Sequence, residues 1–157
     1  MKIKFIFSFL IFILLVTDAL KAQNKNINPN YDSALAKEYG AEENGMKMYV
    51  LVMLKTGTNN TATKAESDSA FAGHMANMSK LVKANKLIVA GPIVKNDKNY
   101  RGIFILNTKS LTEANEILAT DPAIKAKLLD ADLFNWYGSA ALAAYLKVED
   151  KIWKARN

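Results

Sequence analysis

The chain has 157 residues, half of them hydrophobic, with a formal net charge of +6, one histidine and no cysteine. Without cysteine there are no disulfides, and with a single histidine zinc and most soft-metal sites built by one chain are excluded. The lysines are interleaved with apolar and neutral residues, so there is no contiguous basic stripe of the kind a nucleic acid requires. The carboxylates lack calcium-loop spacing, and nothing in the composition calls for a metal or a cofactor.

Residues 1–22 have the three-part layout of a secretory signal: Lys2 and Lys4, an apolar run from Phe5 to Val16 interrupted only by Ser8, then a polar segment ending at Ala22. Twelve apolar residues span about 18 Å as helix, short of a ~30 Å hydrocarbon core. The expectation is export with cleavage near Ala22, into the periplasm or the medium, with no stable membrane insertion afterwards. The mature chain would have 135 residues, and loss of three lysines and one aspartate would bring its charge from +6 to +4.

Residues 23–45 read as a linker rich in Asn, Lys and Glu, with a short helix from Asp32 to Tyr39 that lays Leu35 and Tyr39 on the domain. Met48 to Leu54 is a seven-residue run of β-formers and the first strand. A polar loop follows to Thr63. Phe71, His74, Met75, Met78, Leu81 and Val82 then fall on one arc of about 120° at helical spacing, and Asn85 ends that helix. Leu87 to Ala90 is the second strand, broken by Gly91-Pro92, and Gly102 to Leu106 is the third, across a polar hairpin loop at 95–99. Ser110-Leu-Thr-Glu113 is a capping-box pattern opening a second helix with Leu111, Ala114 and Leu118 inward. Asp121-Pro122 caps and starts a short helix through Leu128. The fourth strand lies near Leu133 to Tyr137, and Ala140 to Trp153 reads as a terminal helix with Leu142, Tyr145, Leu146, Ile152 and Trp153 near one side.

The order β-α-β-β-α-β is the ferredoxin-like arrangement, an α+β sandwich of two helices on one face of a four-stranded sheet. The domain is expected over 46–138, with a helical extension over 139–157. A sheet with one wet face alternates apolar and polar residues. Here Val50, Val52 and Leu54 point one way and Tyr49, Leu51 and Met53 the other, all apolar. Something must cover the second face. The favoured cover is the same face of a second copy, a homodimer through its sheets; the alternative is the C-terminal helix folding back.

His74 on the first helix, Gly91-Pro92 17 positions later, Arg101-Gly102 opening the third strand, Ala114, Asp121-Pro122-Ala123 and an aromatic strand end at Phe134-Asn-Trp136 together resemble the YciI-like (YCII-related) family. The resemblance covers about Met46 to Tyr137, and the Tyr-Gly-Ser-Ala-Ala stretch at 137–141 is similar to an exported bacterial branch. It implies a dimeric α+β barrel with a cleft near the dimer edge, a small organic acid as ligand, and the helix histidine, here His74, as the proposed catalytic group. Many relatives end that helix in an Asp-Glu-Gly-like sequence whose Asp has been regarded as the partner of the His. This chain has Lys83-Ala84-Asn85 there. Positions nine apart lie on opposite sides of a straight helix, about 13.5 Å along it, so such a pairing would need a bent helix end or a second subunit.

Taken from the residues alone, a lone His on an apolar helix face is a core residue; the resemblance, with its register from His74 to Gly91-Pro92, implies equally a candidate acid or base. Gly91 and Pro92 end a strand and are candidate cleft walls. Arg101 is a candidate clamp for a ligand carboxylate, or an exposed hairpin charge. Asp121 reads as a cap, and Met75 and Met78 as core. Two hypotheses stand: an exported lyase-like or isomerase-like enzyme using His74 for proton transfer, and a non-catalytic ligand-binding or structural dimer that has lost the acid beside its histidine.

Overall fold

In the computed structural model, which describes residues 28–149 and 151–154, four antiparallel strands form one sheet in the order β2-β3-β1-β4. The strands are β1, Met46–Thr56; β2, Leu87–Pro92; β3, Tyr100–Leu106; and β4, Leu129–Ser139. Between them run α2, Lys64–Lys83; α3, Leu111–Leu118; and α4, Pro122–Lys125; a short α1, Ser33–Tyr39, precedes the sheet. This is the ferredoxin-like α+β arrangement expected from the element order. Residues 1–22, where a secretory signal is expected, lie outside the described residues.

Elements are longer than hydrophobic periodicity alone indicates. α2 starts seven residues before Phe71 because Thr63 and Glu66 close a reciprocal capping box: the Thr63 side chain accepts from Glu66 N, and Glu66 Oε2 accepts from Thr63 N at 2.8 Å. At its other end Asn85 takes φ 54°, the left-handed conformation that ends a helix. β1 and β4 pair over their full 11 residues, from Met46↔Ser139 to Thr56↔Leu129. β2 continues through Gly91 and Pro92, which pair with Ile103 and Gly102, since Pro is tolerated on an edge strand. α4 is shorter than expected and stops at Lys125, followed by Lys127 at φ 54°.

The first face of the sheet carries Val50, Val52, Leu54, Phe104 and Leu106, packed against Leu81 of α2 and Ala114, Ile117 and Leu118 of α3. Leu111 does not join them; it is 40% exposed, and Ile117 takes the inward place.

The second face is covered by the chain itself over one half. The expected long C-terminal helix is instead a 3-10 helix, Ala140–Tyr145, continued by α5, Leu146–Glu149. Leu142, Ala143 and Leu146 pack, as Trp136 does, on Tyr49, Ile88 and Ile105. β2 bulges between Leu87 and Val89, and the Ile88 carbonyl at that bulge accepts a hydrogen bond from the Tyr145 hydroxyl. Tyr49 is fully buried and donates its own hydroxyl to Ser139 O at 3.0 Å. Ile152 and Trp153, expected inward, are 79% and 44% exposed. The fold-back is thus the cover this chain shows, and it reaches only half the face. Leu51, Met53 and Ile103 remain partly exposed and Phe134 is 52% exposed. No helix among the described residues is long and apolar enough to cross a membrane.

Candidate active site

His74 sits in the middle of α2, buried, with its ring stacked on Phe104 (centroids 5.8 Å apart, planes at 18°) and edge-on to Phe71 at 6.2 Å. Its Nδ1 lies 2.7 Å from Oδ2 of Asp121. Asp121 is 1% exposed and occupies the N-cap of α4, where its Oδ1 accepts from Ala123 N at 2.9 Å and Ile124 N at 3.4 Å. One carboxylate therefore does two things, with one oxygen for the helix and one for the imidazole.

Burial by itself would raise the Asp121 carboxyl. The hydrogen bond and charge of His74, with the two backbone N–H groups, outweigh it and hold the carboxyl below its usual range. An ionised carboxylate only accepts, so Nδ1 carries the hydrogen, and in the neutral ring the lone pair is on Nε2. Among the described residues Nε2 has no hydrogen-bond partner, and it is not among the buried unsatisfied atoms. The histidine has a fixed inner nitrogen and a free outer one.

A cavity of about 350 Å³ opens beside it, lined by His74, Phe71, Met75 and Met78 of α2, Ala90, Gly91 and Pro92 of β2, Arg101, Gly102 and Phe104 of β3, and Leu54 and Leu129. The four residues singled out in the sequence, His74, Gly91, Pro92 and Arg101, meet in this one place. Gly102 keeps two backbones close: a methyl carbon there would stand 2.8 Å from Gly91 O. Arg101 is exposed, as the hairpin-charge reading expects, and it also lines the cavity. Met75, expected in the core, is 60% exposed and lines the opening, while Met78 both packs on the core and lines the cavity.

The larger correction concerns the acid. Lys83, at the position where the resemblance led us to look for the acid, is exposed at the end of α2. The carboxylate comes from Asp121, 47 residues from His74 in sequence, so the site has not lost its acidic partner. The Asp-Pro sequence was visible as a helix start. Its second role follows only from folding, because α2 and α4 lie side by side on the same face of the sheet. Ser79, on the same helix, donates to Met75 O and takes no part. Among the described residues no three His, Asp or Glu side chains gather in a metal-holding group.

The family model for the YCII-related domain matches residues 48–136. Among solved structures the chain is similar to 5-chloro-2-hydroxyhydroquinone dehydrochlorinase from Burkholderia phenoliruptrix AC1100, determined in complex with 2,5-dihydroxybenzoquinone; identity is 23%, TM-score 0.40, with 55% of this chain and 92% of that chain covered. No curated protein matches.

Proposed function

The chain belongs to the YCII-related domain family, and on that premise we propose that it is an exported protein that takes a small organic acid into the His74 cavity and exchanges a proton with it. The observation that carries this reading is the His74–Asp121 pair, 2.7 Å apart, with the second ring nitrogen left to an apolar cavity. A base held in one tautomer and freed of competing partners is what proton abstraction requires.

In the proposed step Nε2 takes a proton from a carbon or hydroxyl of the bound acid, and Asp121 stabilises the imidazolium that forms. The proton then returns to another atom of the same molecule, an isomerisation, or an anionic group leaves from the neighbouring carbon, an elimination. Arg101 at the opening receives the ligand's carboxylate through its forked donors. The cavity offers one base and no carboxylic acid in its lining, which suits a reaction whose leaving group departs as a stable anion. The same feature supports a second reading, a ligand-binding protein without turnover.

Cleavage near Ala22 and a homodimer through the uncovered half of the second face complete the proposal. Leu51, Met53, Ile103 and Phe134 are the residues such a dimer would bury.

The deciding experiment compares wild type with His74→Ala and His74→Gln against a panel of small hydroxy and keto acids, measuring binding by calorimetry and deuterium exchange into the bound acid by NMR. Loss of exchange by about 10²–10⁴-fold with binding retained supports catalysis. Binding without exchange in the wild type supports the carrier reading. If no acid binds, or if the variants bind and exchange as well as wild type, the cavity does not serve this function.

A further inference from the structure

Asp121 reaches His74 only because α2 and α4 approach closely, and the contact that allows this is at the two residues next door. A methyl carbon on Gly73 would lie 2.7 Å from Cγ and 3.0 Å from Cβ of Pro122. Ordinary carbon–carbon contact is about 3.5–4.0 Å. The obstacle is the proline ring, whose φ is fixed and which cannot swing aside as a long side chain would. Gly73 has ordinary helical backbone, and glycine is the poorest residue apart from proline for a helix interior. Nothing local to the helix asks for it.

The seam between the two segments runs antiparallel. Gly73 faces Pro122, His74 faces Asp121, and one turn on the Thr120 hydroxyl, 2.7 Å from Ile117 O, also lies 3.2 Å from Asn77 Oδ1. The histidine–carboxylate contact is thus held from both sides, by a bare glycine on one and a polar contact on the other. Separating residues 73 and 122 by the roughly 0.8 Å that a methyl demands would be passed to the next rung, stretching a 2.7 Å contact beyond the ~3.2 Å limit of a good N–H···O bond.

We infer that Gly73 is a positioning residue: its missing side chain, set against the Pro122 ring, fixes the distance between His74 and Asp121 and thereby selects the tautomer that leaves Nε2 free. This deepens the proposed function and rests on the reading of His74 as the working group. Its consequence is that an Ala at position 73, which improves the helix, damages the site.

His74 is the one histidine of the chain, so the untagged protein labelled with ¹⁵N-histidine gives a single imidazole signal set. Long-range ¹H–¹⁵N spectra of the neutral ring report which nitrogen carries the hydrogen. The wild type is expected to favour the Nδ1–H tautomer roughly tenfold or more, the preference a hydrogen bond to a charged group confers. In Gly73→Ala the preference should collapse to about threefold or less, or reverse toward the Nε2–H form that free imidazole side chains favour. Pro122→Gly removes both obstructing carbons, so Gly73→Ala/Pro122→Gly should regain the wild-type tautomer, with Pro122→Gly alone unchanged.

A Gly73→Ala protein that keeps the wild-type tautomer, whatever its stability, overturns the proposal, because glycine would then serve packing alone. So does a double variant that fails to recover it. If Gly73→Ala does not fold, the double variant decides: folded with the Nδ1–H signal supports the proposal, unfolded overturns it. The imidazole signal is read without any ligand, so failure of the functional reading would leave this result standing and be recognised separately.

Discussion

Replacing Asp121 by Asn leaves the size of the side chain nearly unchanged, removes its charge and puts an NH₂ donor in place of the oxygen that accepts from His74. The helix cap should survive, since Oδ1 can still accept from Ala123 and Ile124 and Asn caps as well as Asp. The loss falls on the bond to His74. A hydrogen bond to a charged group contributes about 1.5–3 kcal/mol and a neutral one about 0.5–1.5, so the amide that replaces Oδ2 costs about 1–2 kcal/mol. With a urea slope of roughly 1.5 kcal/mol per molar, the unfolding midpoint should drop by about 1 M near neutral pH. Asp121→Ala removes the cap as well, about 1 kcal/mol, and strands the Nδ1–H, so its loss should reach about 2–4 kcal/mol.

The pH dependence gives this prediction its sharper test. The Asp121 carboxyl is held below its usual range in the folded protein, so the folded state binds its proton less readily than the unfolded chain. Stability from this group is then complete above the unfolded carboxylate value of about 3.9 and is lost as pH falls through the lower folded value. Urea midpoints measured from pH 7 down to pH 3 should show wild type and Asp121→Asn separated at the upper end and converging below about pH 4. Equal midpoints at pH 7, or a gap that stays constant to the acid end, would refute the assignment of an ionised carboxylate to this pair.

Phe134→Asp should turn the proposed dimer into a monomer on sizing while leaving the melting temperature of the monomeric domain unchanged, since Phe134 lies on the uncovered half of the sheet; a dimer that survives would place the interface elsewhere. Tyr145→Phe removes the hydroxyl that satisfies the Ile88 carbonyl at the β2 bulge and should cost about 1 kcal/mol, seen as faster hydrogen exchange of residues 140–149 with the amides of β1 still protected. Lys47→Met should release α1, because the ammonium donates to Tyr39 O at 3.2 Å and Asn107 Oδ1 at 2.7 Å; proteolysis ahead of Gly40 should quicken without loss of the sheet. Phe104→Ala should cost about 3–5 kcal/mol and widen the cavity floor under the His74 ring.

The element order and the two-faced apolar sheet were legible from local pattern, because Met48 to Leu54 and Gly102 to Leu106 are apolar on both strand faces and the His74 helix has a clear inner arc. Boundaries were less so. The capping box at Thr63 lies in a stretch without apolar periodicity, and β4 carries Asp130, Asp132 and Asn135 among its hydrophobic residues, which obscures its length. The cover of the second face was ambiguous for a physical reason. Apolar residues on a sheet state that something packs there, and whether a tail or a second copy does so depends on a turn at Ser139–Ala140 and on one tyrosine hydroxyl.

The acid beside the histidine was the least legible feature, and its position explains why. Along α2 itself the expected position holds Lys83, on the opposite side of the helix from His74 and about 13.5 Å along it. The fold supplies the acid from the start of α4, at a residue whose capping role already accounts for an Asp there. Two requirements share one side chain: the α4 N-terminus needs an acceptor, and His74 needs a fixed tautomer. Sharing also couples them, since Asp121 cannot turn toward solvent without uncapping α4 and releasing Ala123 and Ile124 N–H. A free surface carboxylate placed beside a histidine would lose side-chain entropy to stay there, whereas one already tied down by two backbone donors loses little more. The cap therefore preorganises the pair, and the bare backbone of Gly73 lets it close.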